Sequence, residues 1–307
     1  MRIVIVGQQA FGKAVLEAFA ARGDEVAGVF AAPEKPGARP DPLVAAAQEW
    51  GVAVHRFPRY SSAEAQAALA ELKADLGVMA YVLLFAPPEF CAIPKHGMIQ
   101  FHPSLLPLHR GPSSIPWAII RGRNATGLSI FRPTPGLDEG PVILQKRVPI
   151  GPDDTAGSLY FDKIFQLGVE ALVEAADLVV RGRATETTQD ESRATYEGWV
   201  REAESRINWA QHVDFVYDLI RGCNPAPGAW TTLGERKLYL FDAKKIVAPT
   251  FGAVRGHKIG EAVSAGAAGM RILAQGGFIE VSRVRLDDGA KIPSSEAGIA
   301  DGTILGS

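Results

Sequence analysis

The sequence predicts an α/β domain with a Rossmann-like, mostly parallel sheet, followed by a smaller β-barrel-like domain. Helix-length stretches separate four apolar runs, which are residues 2–6 (RIVIV), 25–30 (EVAGVF), 52–57 (VAVHRF) and 76–81 (LGVMAY). Strands that are apolar throughout are typical of a parallel sheet covered by helices on both faces. The last hundred or so residues hold short strand-like runs broken by glycines and by turn pairs such as Asp288-Gly289, which predicts the second domain.

The helices follow from the spacing of apolar residues. The first run ends at Gly7, and apolar side chains then recur at helical spacing from Phe11 to Arg22. Further helices are predicted near residues 41–50, 63–73 and 115–121, and from 155 to about 181. Residues 182–206 are polar and poor in aliphatic side chains, which predicts a crossing between domains. We therefore place the first domain at residues 1–204 and the second at residues 205–307.

Composition argues against several classes of protein. The net charge of −2 removes the overall attraction that a dedicated nucleic-acid-binding protein exerts on phosphates. Cys91 and Cys223 lie far apart, outside any paired spacing, so neither a disulfide framework nor a metal site is predicted. No apolar stretch reaches the roughly 18 residues of a membrane span, and the first residues lack a leader's cleavage site. We therefore expect a cytoplasmic protein.

The glycine turn after the first strand reads Gly7-Gln-Gln-Ala-Phe-Gly12. Dinucleotide binding requires a further glycine at the third position of this motif and an acidic residue at the end of the second strand. The third position is Gln9, and the second strand ends at Phe30-Ala31. We therefore expect no nicotinamide cofactor and attribute the glycines to packing.

Two polar motifs lie where a parallel sheet places its ligands. The segment His102-Pro-Ser-Leu-Leu-Pro-Leu-His-Arg-Gly111 directly follows an apolar run, at the carboxyl end of a predicted strand. The loop Gly136-Leu-Asp138-Glu-Gly140 joins two further strand-like runs. Loop histidines and turn aspartates are individually common. Together, on one edge of a sheet, His102 and Asp138 indicate an acid and base pair.

These motifs resemble those of the folate-dependent formyltransferases, a family that includes methionyl-tRNA formyltransferase, glycinamide ribonucleotide transformylase and formyltetrahydrofolate hydrolase. The specific combination is HPSLLP at 102–107 followed by LDEGP at 137–141, and INW at 207–209 and PGAW at 227–230 extend it over nearly the whole chain. The motifs GQQAFG, HPSLLPLHRG, ATYEG and RLDDG look most similar to the N-terminal hydrolase domain of 10-formyltetrahydrofolate dehydrogenase. The resemblance implies an enzyme of one-carbon metabolism that acts on 10-formyltetrahydrofolate.

The resemblance also assigns site residues. His102 matches the family's catalytic histidine, and Asp138 matches its catalytic aspartate. Gln100 stands two residues before the histidine, where many members have asparagine, so its amide lies one methylene further out as a second donor to the formyl oxygen. The positions that the resemblance places around the folate are Met79, Tyr81, Leu83, Leu84, Phe85, Ala86, Ser104, Leu105, Leu106 and Pro107.

Formyl transfer passes through a tetrahedral intermediate whose former carbonyl oxygen is negative. We expect a protonated His102 to stabilise that oxygen, a role typically worth on the order of 3 kcal/mol. Asp138 would take the nucleophile's proton and pass it towards the departing nitrogen. Ser104 and Ser113 are not expected to be nucleophiles, because no histidine and acid pair is dedicated to them.

The formyl acceptor stays open between water, a small amine, a carrier-borne thiol and the amino group of methionyl-tRNA. Residues 236–258 hold one acid, Asp242, and six basic residues, namely Arg236, Lys237, Lys244, Lys245, Arg255 and Lys258. These either contact phosphates or keep strand edges solvated. The early loop PEKPGARPDP balances its basic and acidic residues, which makes tRNA the less favoured acceptor. An inert folate-binding or carrier-docking module is a further alternative, which the retention of His102 and Asp138 disfavours.

Overall fold

The computed structural model describes residues 1–34, 37–248, 255–264, 266 and 269–306. They form two compact units. The first comprises residues 1–111, 127–148 and 162–196, and the second comprises residues 112–126, 149–161 and 197 onwards. The second unit thus takes residues 112–126, 149–161 and 197–204 from the first 204 residues of the chain, and the predicted domain boundary after residue 204 stays a prediction.

The first half of the chain contains a seven-stranded sheet. Its strands are β1 (Arg2–Gly7), β2 (Glu25–Ala31), β3 (Val54–Arg56), β4 (Leu76–Ala80), β5 (Met98–His102), β6 (Ala125–Phe131) and β7 (Val142–Pro149). The strand order is β3-β2-β1-β4-β5-β6-β7. Neighbours from β3 to β5 pair in parallel, whereas β5 and β6 are antiparallel. This mostly parallel sheet confirms the predicted fold class, although the run at 52–57 forms only a three-residue strand.

In the described part of the chain, a helix follows each of β1 to β5, and three more helices come after β7. The helices are α1 (Gln9–Ala21), α2 (Pro42–Glu49), α3 (Ala63–Glu71), α4 (Pro88–Cys91), α5 (Ser114–Ile120), α6 (Ala156–Ser158), α7 (Phe165–Val180) and α8 (Val213–Gly222). The predicted helix from 155 to 181 is helical without a gap from Ala156 to Val180, but it changes to π-helical geometry at Leu159–Ile164, between α6 and α7. A π-turn adds one residue per turn and needs no glycine or proline, so composition gives no sign of it.

One face of the sheet at β5 is covered by helices. The ring of Phe101 lies 4.4 Å from that of Phe11 on α1, measured between centroids. A β-carbon on Gly168 of α7 would come within 2.6 Å of the Phe101 ring, so this glycine lets the helix approach closely. Because side chains alternate along a strand, the neighbours of Phe101 on β5 face the other side of the sheet.

The second unit contains an antiparallel sheet. Its strands are β8 (Ala229–Leu233), β9 (Arg236–Val247), β10 (Glu261–Ser264), β11 (Met270–Ala274), β12 (Gly277–Leu286), β13 (Lys291–Pro293) and β14 (Thr303–Ile304). They follow the order β14-β10-β11-β12-β9-β8, with β13 on β12, and curl into a half-barrel, which confirms the barrel-like prediction. The predicted elements do not include α8, whose buried Val213, Val216 and Ile220 join the core of this unit.

The two cysteines are buried free thiols. Burial raises the pKa of Cys91 to about 11 and that of Cys223 to about 12, so neither is a thiolate at neutral pH. Within the described residues, no group of three or more His, Cys, Asp or Glu side chains is placed to hold a metal ion. Over the same residues, no helix is long and apolar enough to cross a membrane.

Packing accounts for the glycines of the first turn. A β-carbon on Gly7 would lie 1.8 Å from the carbonyl oxygen of Ala80, the last residue of β4. The adjacent N–H of Gln8 donates to that same oxygen at 3.2 Å. A β-carbon on Gly12, inside α1, would crowd the side-chain end of Leu43 at 2.9 Å and would lie 3.5 Å, an ordinary contact distance, from the Ala80 carbonyl oxygen. Gly7 therefore faces immovable backbone, whereas Gly12 faces a flexible side chain.

We predict that Gly7→Ala lowers the free energy of unfolding by about 1–3 kcal/mol or more, because β1 and β4 must separate to admit the methyl group. Gly12→Ala is the matched control from the same motif. There the crowding of Leu43 is offset by the helix preference for alanine, worth about 1 kcal/mol. Urea unfolding of the two variants measures the difference, and equal losses would contradict the packing explanation.

Candidate active site

Strands β4 and β5 bring two chain segments to one edge of the first sheet. They are parallel neighbours, and Met79 of β4 pairs with Gln100 of β5. Their carboxyl ends therefore lie side by side, so residues 81–86 leave the sheet next to His102. Open α/β sheets bind their ligands at such an edge.

His102 ends β5 on the sheet face opposite Phe101. The imidazole is buried, and its Nε2 lies 2.8 Å from the carbonyl oxygen of His109. A carbonyl oxygen can only accept, so Nε2 carries a hydrogen and donates it. Nδ1 is left to face Asp138, whose Oδ2 lies 3.5 Å away. That distance is long for a direct hydrogen bond and leaves the carboxylate close enough to pair with a protonated ring.

Asp138 is buried, and hydrogen bonds hold both its carboxylate and its backbone carbonyl. Its Oδ2 accepts a hydrogen bond from the N–H of Gly111 at 2.9 Å, and its carbonyl oxygen accepts one from Nε2 of Gln189 at 2.8 Å. The residue has a φ of +56°, in the left-handed region that aspartate tolerates better than most residues. The structure thus brings together the two side chains that the sequence predicts as a pair.

Gln100 lies two residues before His102 on β5 and is partly buried. Residues two apart on a strand project to the same face. The amide therefore stands on the same side of the sheet as the imidazole. A second donor to the formyl oxygen would have to lie on this side.

The predicted folate residues after His102 serve largely to shape the loop. The hydroxyl of Ser104 is committed, since it donates to the carbonyl of Leu108 at 2.6 Å. The hydroxyl of Ser129 accepts from the N–H of Leu106 at 3.1 Å and donates to the carbonyl of Ser104 at 2.7 Å. The side chains of Ser104 and Leu106 are buried, whereas Leu105 and Pro107 are partly exposed.

The predicted folate residues at the end of β4 divide into two sets. Tyr81, Leu83 and Phe85 are exposed, with 62% of the Phe85 side chain open to solvent. The remaining members, Met79, Leu84 and Ala86, pack into the core of the first unit. The exposed set is therefore available to a ligand, while the packed set fixes the loop that carries it.

A buried arginine that the sequence did not predict lies beside the pair. Arg110 has no exposed surface, yet the segment HRG gave no sign of burial. Its Nη2 and Nη1 donate to the two oxygens of Glu191 at 2.6 and 3.0 Å. Nη2 and Nε also donate to Oε1 of Gln189, at 2.8 and 3.2 Å. The predicted crossing at 182–206 therefore supplies partners to the loop that follows His102.

Tyr196 and Glu139 extend this network. The tyrosine hydroxyl accepts from Nη1 of Arg110 and donates to Oε1 of Glu139 at 2.5 Å. The hydrogen bond to Glu139 raises the pKa of Tyr196, so the hydroxyl remains a donor at neutral pH. Tyr196 lies in the ATYEG motif, which contributes to the family resemblance and has no predicted physical role.

Comparison with known proteins identifies the family. Residues 1–176 match the formyl transferase family model, and residues 200–298 match the formyl transferase C-terminal domain. Cytosolic 10-formyltetrahydrofolate dehydrogenase from Homo sapiens is 39% identical over 248 residues, 79% of this chain and 27% of that protein. Methionyl-tRNA formyltransferase from Ruegeria pomeroyi is 38% identical over 242 residues, 77% of this chain and 79% of that protein. The chain thus spans roughly a third or less of the dehydrogenases that it matches.

Solved structures share the fold. The crystal structure of HypX from Aquifex aeolicus in complex with tetrahydrofolic acid matches with a TM-score of 0.69 at 19% identity, over 97% of this chain and 46% of HypX. At that identity the likeness concerns the fold alone. The first family model covers more than half of the chain, and the chain therefore belongs to the folate-dependent formyltransferase family.

Proposed function

We propose that this chain takes the formyl group from 10-formyltetrahydrofolate and releases tetrahydrofolate, with His102 and Asp138 acting on the reacting atoms. One observation carries the proposal: two buried side chains of opposite role converge, with Nδ1 and Oδ2 3.5 Å apart, at the carboxyl end of β5. The bound tetrahydrofolic acid in the HypX structure supports the choice of donor. Water or a small or carrier-borne nucleophile is the proposed acceptor.

The first step forms the tetrahedral intermediate. The nucleophile's lone pair attacks the formyl carbon, and the carbonyl π electrons move onto oxygen. With Nε2 committed to the His109 carbonyl, Nδ1 of a protonated His102 is the nitrogen that donates to this oxyanion. The Gln100 amide, on the same sheet face, adds a second donor. Asp138 takes the proton that the nucleophile loses.

The second step breaks the bond between the formyl carbon and N10 of the folate. The oxyanion electrons re-form the carbonyl, and N10 leaves with the bonding pair and receives the proton held by Asp138. The products are tetrahydrofolate and the formylated acceptor, or formate when the acceptor is water. These two steps require no covalent intermediate on the enzyme. This fits the buried thiols and the hydroxyl of Ser104, which is already bonded to a carbonyl.

The folate is proposed to lie along residues 81–86. Exposed Tyr81, Leu83 and Phe85 supply apolar and aromatic surface that water otherwise covers. Backbone groups around Met79 and Leu84 would line the slot, because their side chains face the core. Leu105 and Pro107 border it from the neighbouring segment.

The basic segment at 236–258 supports a small acceptor over tRNA. Much of its charge is paired with carboxylates from elsewhere in the chain. The ion pairs join Arg236 to Asp287, Lys237 to Glu202 and Lys245 to Asp214. A paired lysine has less charge to offer a phosphate, so this segment is a weaker candidate for a nucleic-acid contact than its composition implies. Its residues 249–254 lie outside the described part of the chain.

We predict that His102→Ala lowers kcat for tetrahydrofolate release by roughly 10²–10³-fold and Asp138→Asn by roughly 10²–10⁴-fold. Binding of the folate should stay within about tenfold, because both groups act mainly in the transition state. Absorbance of released tetrahydrofolate and calorimetric titration with folate measure the two effects.

His96→Ala is the control, since His96 precedes β5 at the amino end of the same strand. Near-normal turnover in either active-site variant would refute the pair. Tight folate binding without turnover in the unsubstituted chain would instead favour an inert folate-binding module.

We predict that Phe85→Ala weakens folate binding by roughly 2–10-fold with a smaller change in kcat, since an aromatic contact contributes about 0.5–1.5 kcal/mol. Trp50→Ala removes another exposed aromatic, at the end of α2, and should leave binding unchanged. Calorimetry with tetrahydrofolate makes the comparison. Unchanged affinity in the Phe85 variant would move the proposed slot elsewhere.

We predict that charged methionyl-tRNA does not stimulate formyl release and that the rate shows a shallow dependence on salt. A nucleic-acid substrate would release counterions, so the slope against salt would be steep and would fall when Lys244 and Lys245 are replaced by Met. The assay measures tetrahydrofolate release across a salt series, with and without charged tRNA. Strong salt-sensitive stimulation would make tRNA the acceptor.

A further inference from the structure

We propose that Arg110 and Gln189 are positioning residues that, with the backbone of His109 and Gly111, set the geometry of His102 and Asp138. We call these four residues the positioning network. The inference rests on the proposed function, because it explains how that site is held in its working arrangement. None of the four needs to touch the folate or the acceptor.

Three consecutive residues hold both members of the pair. The carbonyl of His109 accepts from Nε2 of His102 at 2.8 Å, and the N–H of Gly111 donates to Oδ2 of Asp138 at 2.9 Å. Arg110 stands between them. Any shift of this tripeptide therefore moves the partners of the imidazole and the carboxylate together.

The side chain of Arg110 keeps the tripeptide from shifting. A guanidinium without solvent contact must be bonded and neutralised within the protein, since an uncompensated buried charge is strongly destabilising. The two oxygens of Glu191 take two of its donors, and Oε1 of Gln189 takes two donor contacts from Nη2 and Nε. Such a planar, bidentate set is rigid in both distance and angle.

Gln189 carries this rigidity to the aspartate loop. Because its Oε1 faces the arginine donors, its amide nitrogen must face the other way. Both hydrogens are used there: Nε2 donates to the carbonyl of Asp138 at 2.8 Å and to that of Gly140 at 2.7 Å. One side chain thus fixes the backbone on both sides of Glu139, including that of Asp138, which has a φ of +56°.

The consequence for catalysis is geometric. A displacement of about 1 Å at a reacting group can reduce a rate by roughly 10²-fold. Without the Gln189 bonds, the 138–140 loop loses two of the contacts that hold the Asp138 carboxylate 3.5 Å from Nδ1 of His102. The loss should appear in kcat, because the folate slot at 81–86 contains no member of the network.

The central test is Gln189→Glu. The substitution preserves size and keeps an acceptor for Arg110, but replaces the two amide donors with an oxygen that repels the carbonyls of Asp138 and Gly140. We expect kcat to fall roughly 10–100-fold with KM for 10-formyltetrahydrofolate within about threefold. Asp190→Asn is the matched control at the next position of the same segment, since the exposed Asp190 accepts from Ser192 and the substitution leaves the bonds of Arg110 and Gln189 in place. We expect it to change kcat less than about threefold.

A second readout needs no turnover. The imidazole resonances of His102 in the ligand-free protein, identified by their absence from the His102→Ala spectrum, should move in Gln189→Glu and stay in Asp190→Asn. If Gln189→Glu fails to fold, Gln189→Met removes the same donors without adding charge, and the same results are expected. Unmoved His102 resonances together with an unchanged kcat in a folded Gln189 variant would overturn the proposal.

The proposed function and the positioning network can be refuted separately. An unsubstituted chain that releases no tetrahydrofolate from the donor defeats the proposed function, whatever Gln189 does. The His102 resonances then still judge the network: movement in the Gln189 variant alone supports it, and equal movement in both variants overturns it.

Discussion

The guanidinium of Arg110 sits where water does not reach, so its charge and its N–H groups must be satisfied by the protein itself. The hydrogen bonds that Arg110 donates to Glu191 raise the pKa of Arg110, which keeps it charged under all ordinary conditions. Its partners come from residues 189–196, so that segment has to lie against the loop that follows β5. The aspartate loop is then bonded to the same segment through Gln189. The arrangement of the candidate site follows from this one requirement.

The sequence predicted those features that depend on residues close together in the chain. Apolar runs such as RIVIV and LGVMAY form β1 and β4, and His102 and Asp138 could be singled out because each follows strand-like residues in a polar, turn-rich motif. Arg110 could not be found in the same way. An arginine in a turn is usually exposed, and its burial depends on residues some eighty positions later that composition alone describes as a polar crossing. Helix α8 does carry a local signal, because Val213, Val216 and Ile220 recur at helical spacing, and the prediction for this region considered its strand-like runs alone.

Resemblance named the folate positions without separating their roles. Alternation along residues 81–86 places Tyr81, Leu83 and Phe85 outside and Leu84 and Ala86 inside, and only the fold reveals which set is which. The same holds for charge. A count of basic residues in 236–258 leaves a phosphate contact open, whereas Asp214, Glu202 and Asp287 lie too far away in sequence to enter that count. Residues that are distant in the chain determine which of residues 81–86 are exposed and how the basic side chains of 236–258 are paired.

The central claim is that His102 and Asp138 act as a unit on one transition state. A double-mutant cycle on kcat/KM for 10-formyltetrahydrofolate tests it most directly, using His102→Ala, Asp138→Asn and the combination. When two groups work as a unit, the effects of replacing them are strongly non-additive. The double variant should therefore be little less active than the less active of the two single variants. Losses that multiply, giving a double variant as slow as the product of the two single effects, would mean that the residues act independently and would contradict the account.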